Sequence, residues 1–432
     1  MTYLLEHGHA DEVRELAGGS DWFCAKEWAR WLADRGRPDE ALEALAPYVA
    51  TGWWTAVRRA AELLERWGRA DEAVALLRPY AQDGNRSALE HFAVLIAGQG
   101  RAEEAYGLLR PHLGDPFLAR ALVEVAAGLD RDEELAALLA DRIASPPPHC
   151  PHCDRPDCGG RRAPEPWNAV ALLATVRERQ GRIDEAVALL RPREITSVNG
   201  NDQLAELLLR HGRIAELREY AATESLGDAA RRLAEFLEAR GDVEGAAEAY
   251  RPHVADGSPN AAVRLAELLA RHGRGDEGIA LLRDLPGSRG NVDDWFVDVL
   301  CGLYAGQGRA EEALAYLDDR KARTGTDEWE FFRQRPGLLA SCGRTEQAIE
   351  EVRAHPEGSA WYAAPDLARL LLGAGRPEEA LAVLDPEEPN TREDRAELLM
   401  QLGRVGEAVA LLQRRRPLQD FKPTEWSAAP PF

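Results

Sequence analysis

The chain has 432 residues, 45% of them apolar, with 53 Lys and Arg against 74 Asp and Glu and a formal charge of −21. The apolar share suffices for an extended core and excludes wholesale disorder, while the acidic balance opposes nucleic acid and anionic lipid and favours basic or neutral partners. No apolar run approaches the roughly 20 residues that span a bilayer, and the opening "MTYLLEHGHADEVREL" turns charged too early for a signal peptide, so a reduced, cytoplasmic chain is expected.

The first predicted element is a clipped repeat: before Gly8 there is room for barely a turn and a half of helix. It offers Tyr3, Leu4, Leu5, Val13 and Leu16 with nothing ahead of them to cover them, an end expected to be adhesive. Next come units that echo one another, clearest in "GRADEAVALLRP" at 68, "GRAEEAYGLLRP" at 100 and "GRIDEAVALLRP" at 181. Weaker copies start at Gly8, Gly36, Asp130, Gly212, Gly241, Gly273, Gly308, Gly343, Gly375 and Gly403, making about thirteen.

Each unit reads as two helices. The first carries an apolar stripe, as in "AAVRLAELLARHG" with Val263, Leu265, Ala266, Leu268 and Leu269, and stops at a glycine suited to a left-handed helix end. The second opens on acidic residues such as Asp71 and Glu72, which suit the positive end of the helix dipole. Five positions after the glycine a small residue recurs (Ala41, Ala73, Ala105, Ala186, Ala246, Gly278, Ala313, Ala348, Ala380, Ala408), which lets the two helix backbones approach closely. Pro47, Pro79, Pro111, Pro192, Pro252 and Pro386 recur eleven residues after the glycine and are expected to end or kink the second helix early.

This pattern of glycine, acidic pair, alanine and apolar stripe resembles the tetratricopeptide-repeat family over nearly the whole chain. It departs from that family in its shorter units, its recurrent proline, and the Leu or Ala that mostly replaces the large aromatic pair of the first helix. The resemblance implies an all-α, right-handed α-solenoid of about thirteen helix-turn-helix repeats, broken once by a Cys/His/Pro-rich loop insertion. The expected divisions are repeats over 1–145, the insertion over 146–166, repeats over 167–412 and a tail over 413–432. As function it implies a protein-interaction scaffold, because fold alone does not fix role.

Two residue sets could serve a partner. Trp22, Trp54, Trp167, Trp329 and Trp361 stand fourteen residues before their glycines, and Trp295 thirteen, a register in the first turn of the first helix. The rings either pack against the preceding unit's second helix or form an aromatic row that anchors extended segments. Arg58 with Glu62, Arg120 with Glu124 and Arg231 with Glu235 are i, i+4 pairs. In the family's register they face the concave groove, and Glu206, Glu267 and Glu397 extend the acidic row. They are either solvated pairs or a surface reading basic peptides.

The widest spacing between units holds "HCPHCDRPDCGG", in which Cys150, Cys153 and Cys158 follow C-x2-C-x4-C beside His149 and His152. Two thiolates on so tight a turn can share one structural Zn²⁺ with Cys158 as the third ligand. The fourth ligand stays open among His149, Asp157 and solvent, and a reduced loop without metal is the alternative. No phosphate loop, dinucleotide fingerprint, nucleophile elbow or zincin motif occurs, so no enzyme is expected. The scattered histidines, several in "RPH" or "RHG", read as helix-end residues.

At the far end Val405, Val409, Leu411 and Leu412 lie on the last helix, followed by "RRRPLQDFKPTEWSAAPPF". That tail is expected to fold back as an irregular cap through Phe421 and Trp426, with end-to-end self-association when the cap is lost. The sequence thus points to a non-catalytic cytoplasmic scaffold for a protein or peptide, with one structural zinc. Two other classes stay open, the sensor portion of a larger regulator and a zinc enzyme.

Overall fold

The computed structural model describes residues 2–6, 8–18, 21–144, 169–192, 197–198, 201–224, 227–285, 294–325 and 328–413. They are almost entirely helical, and the exception is a ribbon of two-residue strands in which Ser197 pairs with Asp202 and Val198 with Asn201. The chain divides into two compact units, residues 1–212 and 213–432. Each is a stack of antiparallel helical hairpins of the α-solenoid kind, such as Trp54–Arg66 with Ala70–Gln82 in the first and Pro259–Arg271 with Gly275–Asp284 in the second. Among the described residues no helix is long and apolar enough to cross a membrane.

The hairpin turn shows how the repeat works. Gly68 has φ of 72°, a left-handed conformation that side chains rarely adopt, and eleven other repeat glycines take φ between 66° and 87°. An added Cβ at Gly68 would meet nothing within 4 Å, so backbone conformation, not crowding, calls for glycine there. The next residue, Arg69, donates its N–H to the Leu64 carbonyl at 2.8 Å and closes the first helix. Its own carbonyl accepts from Ala73 N–H at 3.2 Å and opens the second.

First helices are started differently. Asp21, Asn85, Asp115, Asp202 and Ser258 cap them through side-chain oxygens, for example Asn85 accepting from Ala88 N–H at 3.0 Å. Second helices mostly lack such a cap, and their N-cap residue is the arginine after the glycine. The small residue five positions after the glycine is buried in every unit where the sequence places it, Ala73, Ala313 and Gly278 among them. Among the described residues, successive hairpins share apolar cores, one running from Val57 to Val176 and another from Ala262 to Leu411.

Two expectations need correction. The recurrent proline does not always stop its helix: Pro38–Val49, Ala70–Gln82 and Val243–Ala255 run on past Pro47, Pro79 and Pro252. The carbonyls those prolines leave unpaired belong to Glu43, Ala75 and Glu248, which are exposed, so water can satisfy them while packing holds the last turn. At Pro111, Pro192 and Pro386 the α-helix ends before the proline, as expected. The N-terminal face is also not bare. The short helix Thr2–Glu6 packs on Ala10–Gly18, which packs on Trp22–Asp34, and Leu4, Leu5 and Val13 are buried. At the other end Val405 and Leu411 are buried and Leu412 is exposed, while Phe421 and Trp426 lie outside the described residues.

Candidate functional site

The tryptophan register leads to the open ends of the hairpins. Trp22 and Trp54 begin the helices Trp22–Asp34 and Trp54–Arg66, and both are half-buried. Trp22 meets Tyr48 edge-on with ring centres 5.3 Å apart, and Trp54 meets Tyr80 at 6.1 Å. Both tyrosines stand near the ends of the second helices of the same hairpins, so the ring ties the mouth of its own hairpin together. Trp329 does the same against His355 at 5.5 Å, and at 4% exposure it is core and not a contact surface. Trp295 is half-buried against Phe296. Trp361 is 50% exposed and precedes its helix, which starts only at Ala364, so it does not occupy a first turn. Trp167 lies outside the described residues.

The exposed aromatics of the first unit sit one residue out of that register. Phe23 is 70% exposed, Trp53 43% and Phe117 49%. Each stands at the start of a first helix: Phe23 in Trp22–Asp34, Trp53 as the N-cap of Trp54–Arg66, and Phe117 in Pro116–Val125. Arg86, which opens the intervening first helix Arg86–Gly98, lies 4.5 Å over the Phe117 ring, and Lys26 lies 5.9 Å over Phe23. Trp53 touches Trp22 edge-on at 4.7 Å, which links neighbouring hairpins. Three first helices of the unit thus start beside an exposed ring, and the first helix between the second and third of them starts at Arg86. The doublets "WF" at 22 and "WW" at 53 were the available signal, with one ring turned in and its neighbour out.

The i, i+4 glutamates of the predicted acidic row are paired groups. Glu62 accepts from Arg59 at 3.0 Å and lies 3.6 Å from Arg58; Glu124 lies 3.7 Å from Arg120; Glu235 accepts from Arg231 at 2.7 Å and Arg232 at 2.6 Å. Burial alone would raise Glu235, but the hydrogen bonds from those arginines outweigh it and hold the carboxyl low. Glu206 is half-buried, Glu267 is exposed, and Glu397 accepts from Gln401 at 3.4 Å.

A longer-range charge pattern links neighbouring repeats. Arg69 donates to Glu72 of its own helix at 2.7 and 2.8 Å and to Asp39 of the previous repeat at 2.7 Å. Arg131 joins Glu134 to Glu103 in the same unit. In the second unit Arg274 joins Glu277 to Glu244, Arg309 joins Glu312 to Asp276, Arg376 joins Glu379 to Glu346, and Arg404 joins Glu407 to Glu378. Each arginine therefore both secures a helix start and stitches one repeat to the one before. The "RHG" stretches do the same from first helices: Arg210 and His211 both bond Glu178, and Arg271 and His272 both bond Glu238.

The described thiols are not poised for chemistry. Burial pushes Cys24 and Cys301 up to about 12, with Asp21 and Asp298 adding to it. Cys150, Cys153, Cys158 and His149 lie outside the described residues, and no cluster of metal-ligating side chains occurs among those that are described.

The tetratricopeptide repeat profile matches residues 167–192, 362–386 and 389–414. No curated protein sequence matches the chain. Among solved structures, the chain is similar to one of Naa15/Naa10 bound to HypK-THB, at 13% identity and a TM-score of 0.33, over 90% of this chain and 67% of that one. The hetero-tetramer Cut9-Hcn1 of APC/C is similar at 12% and 0.28, over 94% of this chain and 88% of that one. The pentatricopeptide repeat protein PPR10 from maize is similar at 15% and 0.34, over 91% of this chain and 63% of that one.

Proposed function

We propose that this chain, a divergent tetratricopeptide-like repeat protein, is a non-catalytic cytoplasmic scaffold that holds an extended protein segment along the edge marked by Phe23, Trp53 and Phe117. The carrying observation is the placement of exposed aromatic rings at or beside the starts of three first helices in one unit. Aromatic side chains give large contact area for little conformational entropy, and they dominate binding energy where a partner excludes water. The segment presents apolar side chains at the repeat spacing. The charge of −21 favours a basic or neutral protein as its source and repels a phosphate backbone.

A photo-crosslinking phenylalanine at position 53 tests this reading. In cell extract it should give a discrete adduct that the same residue at position 75, on the exposed side of a second helix, does not give. Identical adduct patterns from both positions would remove the rim from consideration.

The insertion is a second, separable feature. A single structural Zn²⁺ held by Cys150, Cys153 and Cys158, with His149 as a candidate fourth ligand, is the reading its spacing supports. Protein purified without chelator should carry about one Zn²⁺ per chain, and Cys153→Ser should lose it. Metal-free protein from such a preparation contradicts the site.

A further inference from the structure

The second unit contains a feature that scaffolding does not require. Between the helices Ala310–Thr324, Trp329–Phe332, Gln334–Ser341 and Thr345–Ala354 lies a cavity of about 350 Å³. Arg320 lines it and is only 3% exposed. Its Nε and Nη2 are buried without a hydrogen-bond acceptor, and its guanidinium lies flat on the Phe331 ring at 3.5 Å. The carboxylates in the cavity wall do not serve it, because Arg335 takes both, donating to Glu351 at 2.6 Å and to Asp318 at 2.7 Å.

We propose that this cavity is a receptor for a small organic oxyanion, a carboxylate or phosphate ester carried on a flat apolar group. A buried guanidinium gives up its hydration, and unless its N–H groups find acceptors that loss is uncompensated. Stacking on Phe331 satisfies the face of the group and leaves its edge, with Nε and Nη2, for an acceptor. A planar oxyanion matches that edge with paired hydrogen bonds. The rest of the cavity suits an apolar ring: Phe332 stacks on His355 with centres 4.3 Å apart, and Leu317 and Ala354 complete the lining. Burial lowers the pKa of Arg320, with Tyr316 and Glu328 opposing it only in part, yet a guanidinium stays protonated at neutral pH. Small-molecule sites start at roughly this volume, so the ligand is about the size of one substituted ring.

The test is titration of the full chain with benzoate, phenyl phosphate and inorganic phosphate, read by calorimetry and thermal shift. One of the two aromatic anions should bind saturably at about one per chain and raise the melting temperature; which one binds more tightly assigns the ligand to carboxylates or to phosphate esters. Arg320→Met should weaken that binding on the order of tenfold or more while folding at least as stably, because it removes an unpaired buried charge. Arg320→Lys, which keeps the charge but not the planar edge, should weaken it as well and covers the case in which the methionine variant fails to fold. Absence of binding by both aromatic anions, equal binding by inorganic phosphate, or undiminished binding by the lysine variant each overturns the proposal.

Discussion

Replacing Gly278 with leucine should destabilise the second unit by about 3 kcal/mol, the upper end of the usual cost of overpacking a core. Gly278 occupies the position where other repeats carry a fully buried alanine, such as Ala246, Ala313 and Ala348. Here the two helices of the hairpin lie closer still: a Cβ on Gly278 would stand 2.7 Å from the carbonyl oxygen of Ala266 and 3.1 Å from its Cα. Both are backbone atoms, so no side chain can swing aside, and the helices Pro259–Arg271 and Gly275–Asp284 must separate. Ala280→Leu, on the exposed side of the same helix, should be close to neutral. Chemical denaturation of both variants checks this; equal midpoints would mean that close backbone approach does not hold the hairpin together.

Acid should dismantle the arginine ladder. Hydrogen bonds from Arg69, Arg274, Arg309, Arg376 and Arg404 hold Glu72, Glu277, Glu312, Glu379 and Glu407 below the ordinary 4.5, with Glu379 reaching about 2. These pKa values are depressed in the folded state, so the stability they confer is present above the unfolded value and is lost as pH falls through the folded one. The melting temperature should therefore hold above pH 4.5 and fall steadily from there toward pH 2. Added salt at neutral pH should produce a smaller loss, because these pairs are largely exposed and screened. Arg376→Gln should flatten the acid dependence; a melting temperature that does not change between about pH 5 and 3 would contradict the ladder.

Much of this architecture stands in the sequence because its cause is local. The backbone conformation at Gly68 and the helix contact at Ala73 each impose a residue type at a fixed place in the unit, so periodicity reveals them. Arg69 recurs as regularly, but its role depends on Asp39, a carboxylate one repeat earlier that only the folded stack brings near. The prolines mislead for the opposite reason: local propensity ends a helix at Pro79, and packing with exposed carbonyls overrides it. The aromatics fall between these cases. Helical periodicity places Trp22 and Phe23 at one helix start, yet which ring turns inward depends on Tyr48 across the hairpin mouth and on Trp53 of the next hairpin.

The central claim is that the edge bearing Phe23, Trp53 and Phe117 binds a protein segment. Its most direct test is titration of the protein captured at position 53 against the wild-type chain and against Phe23→Ala/Trp53→Ala/Phe117→Ala. All three rings are largely at the surface, so the triple variant should keep its helical circular dichroism and cooperative unfolding, with a modest drop in melting temperature from the lost Trp22–Trp53 and Arg86–Phe117 contacts. Truncation of contact aromatics typically costs about 2 kcal/mol each at a hot spot, so affinity should fall by on the order of a hundredfold or more. Unchanged affinity in a folded triple variant would contradict the account.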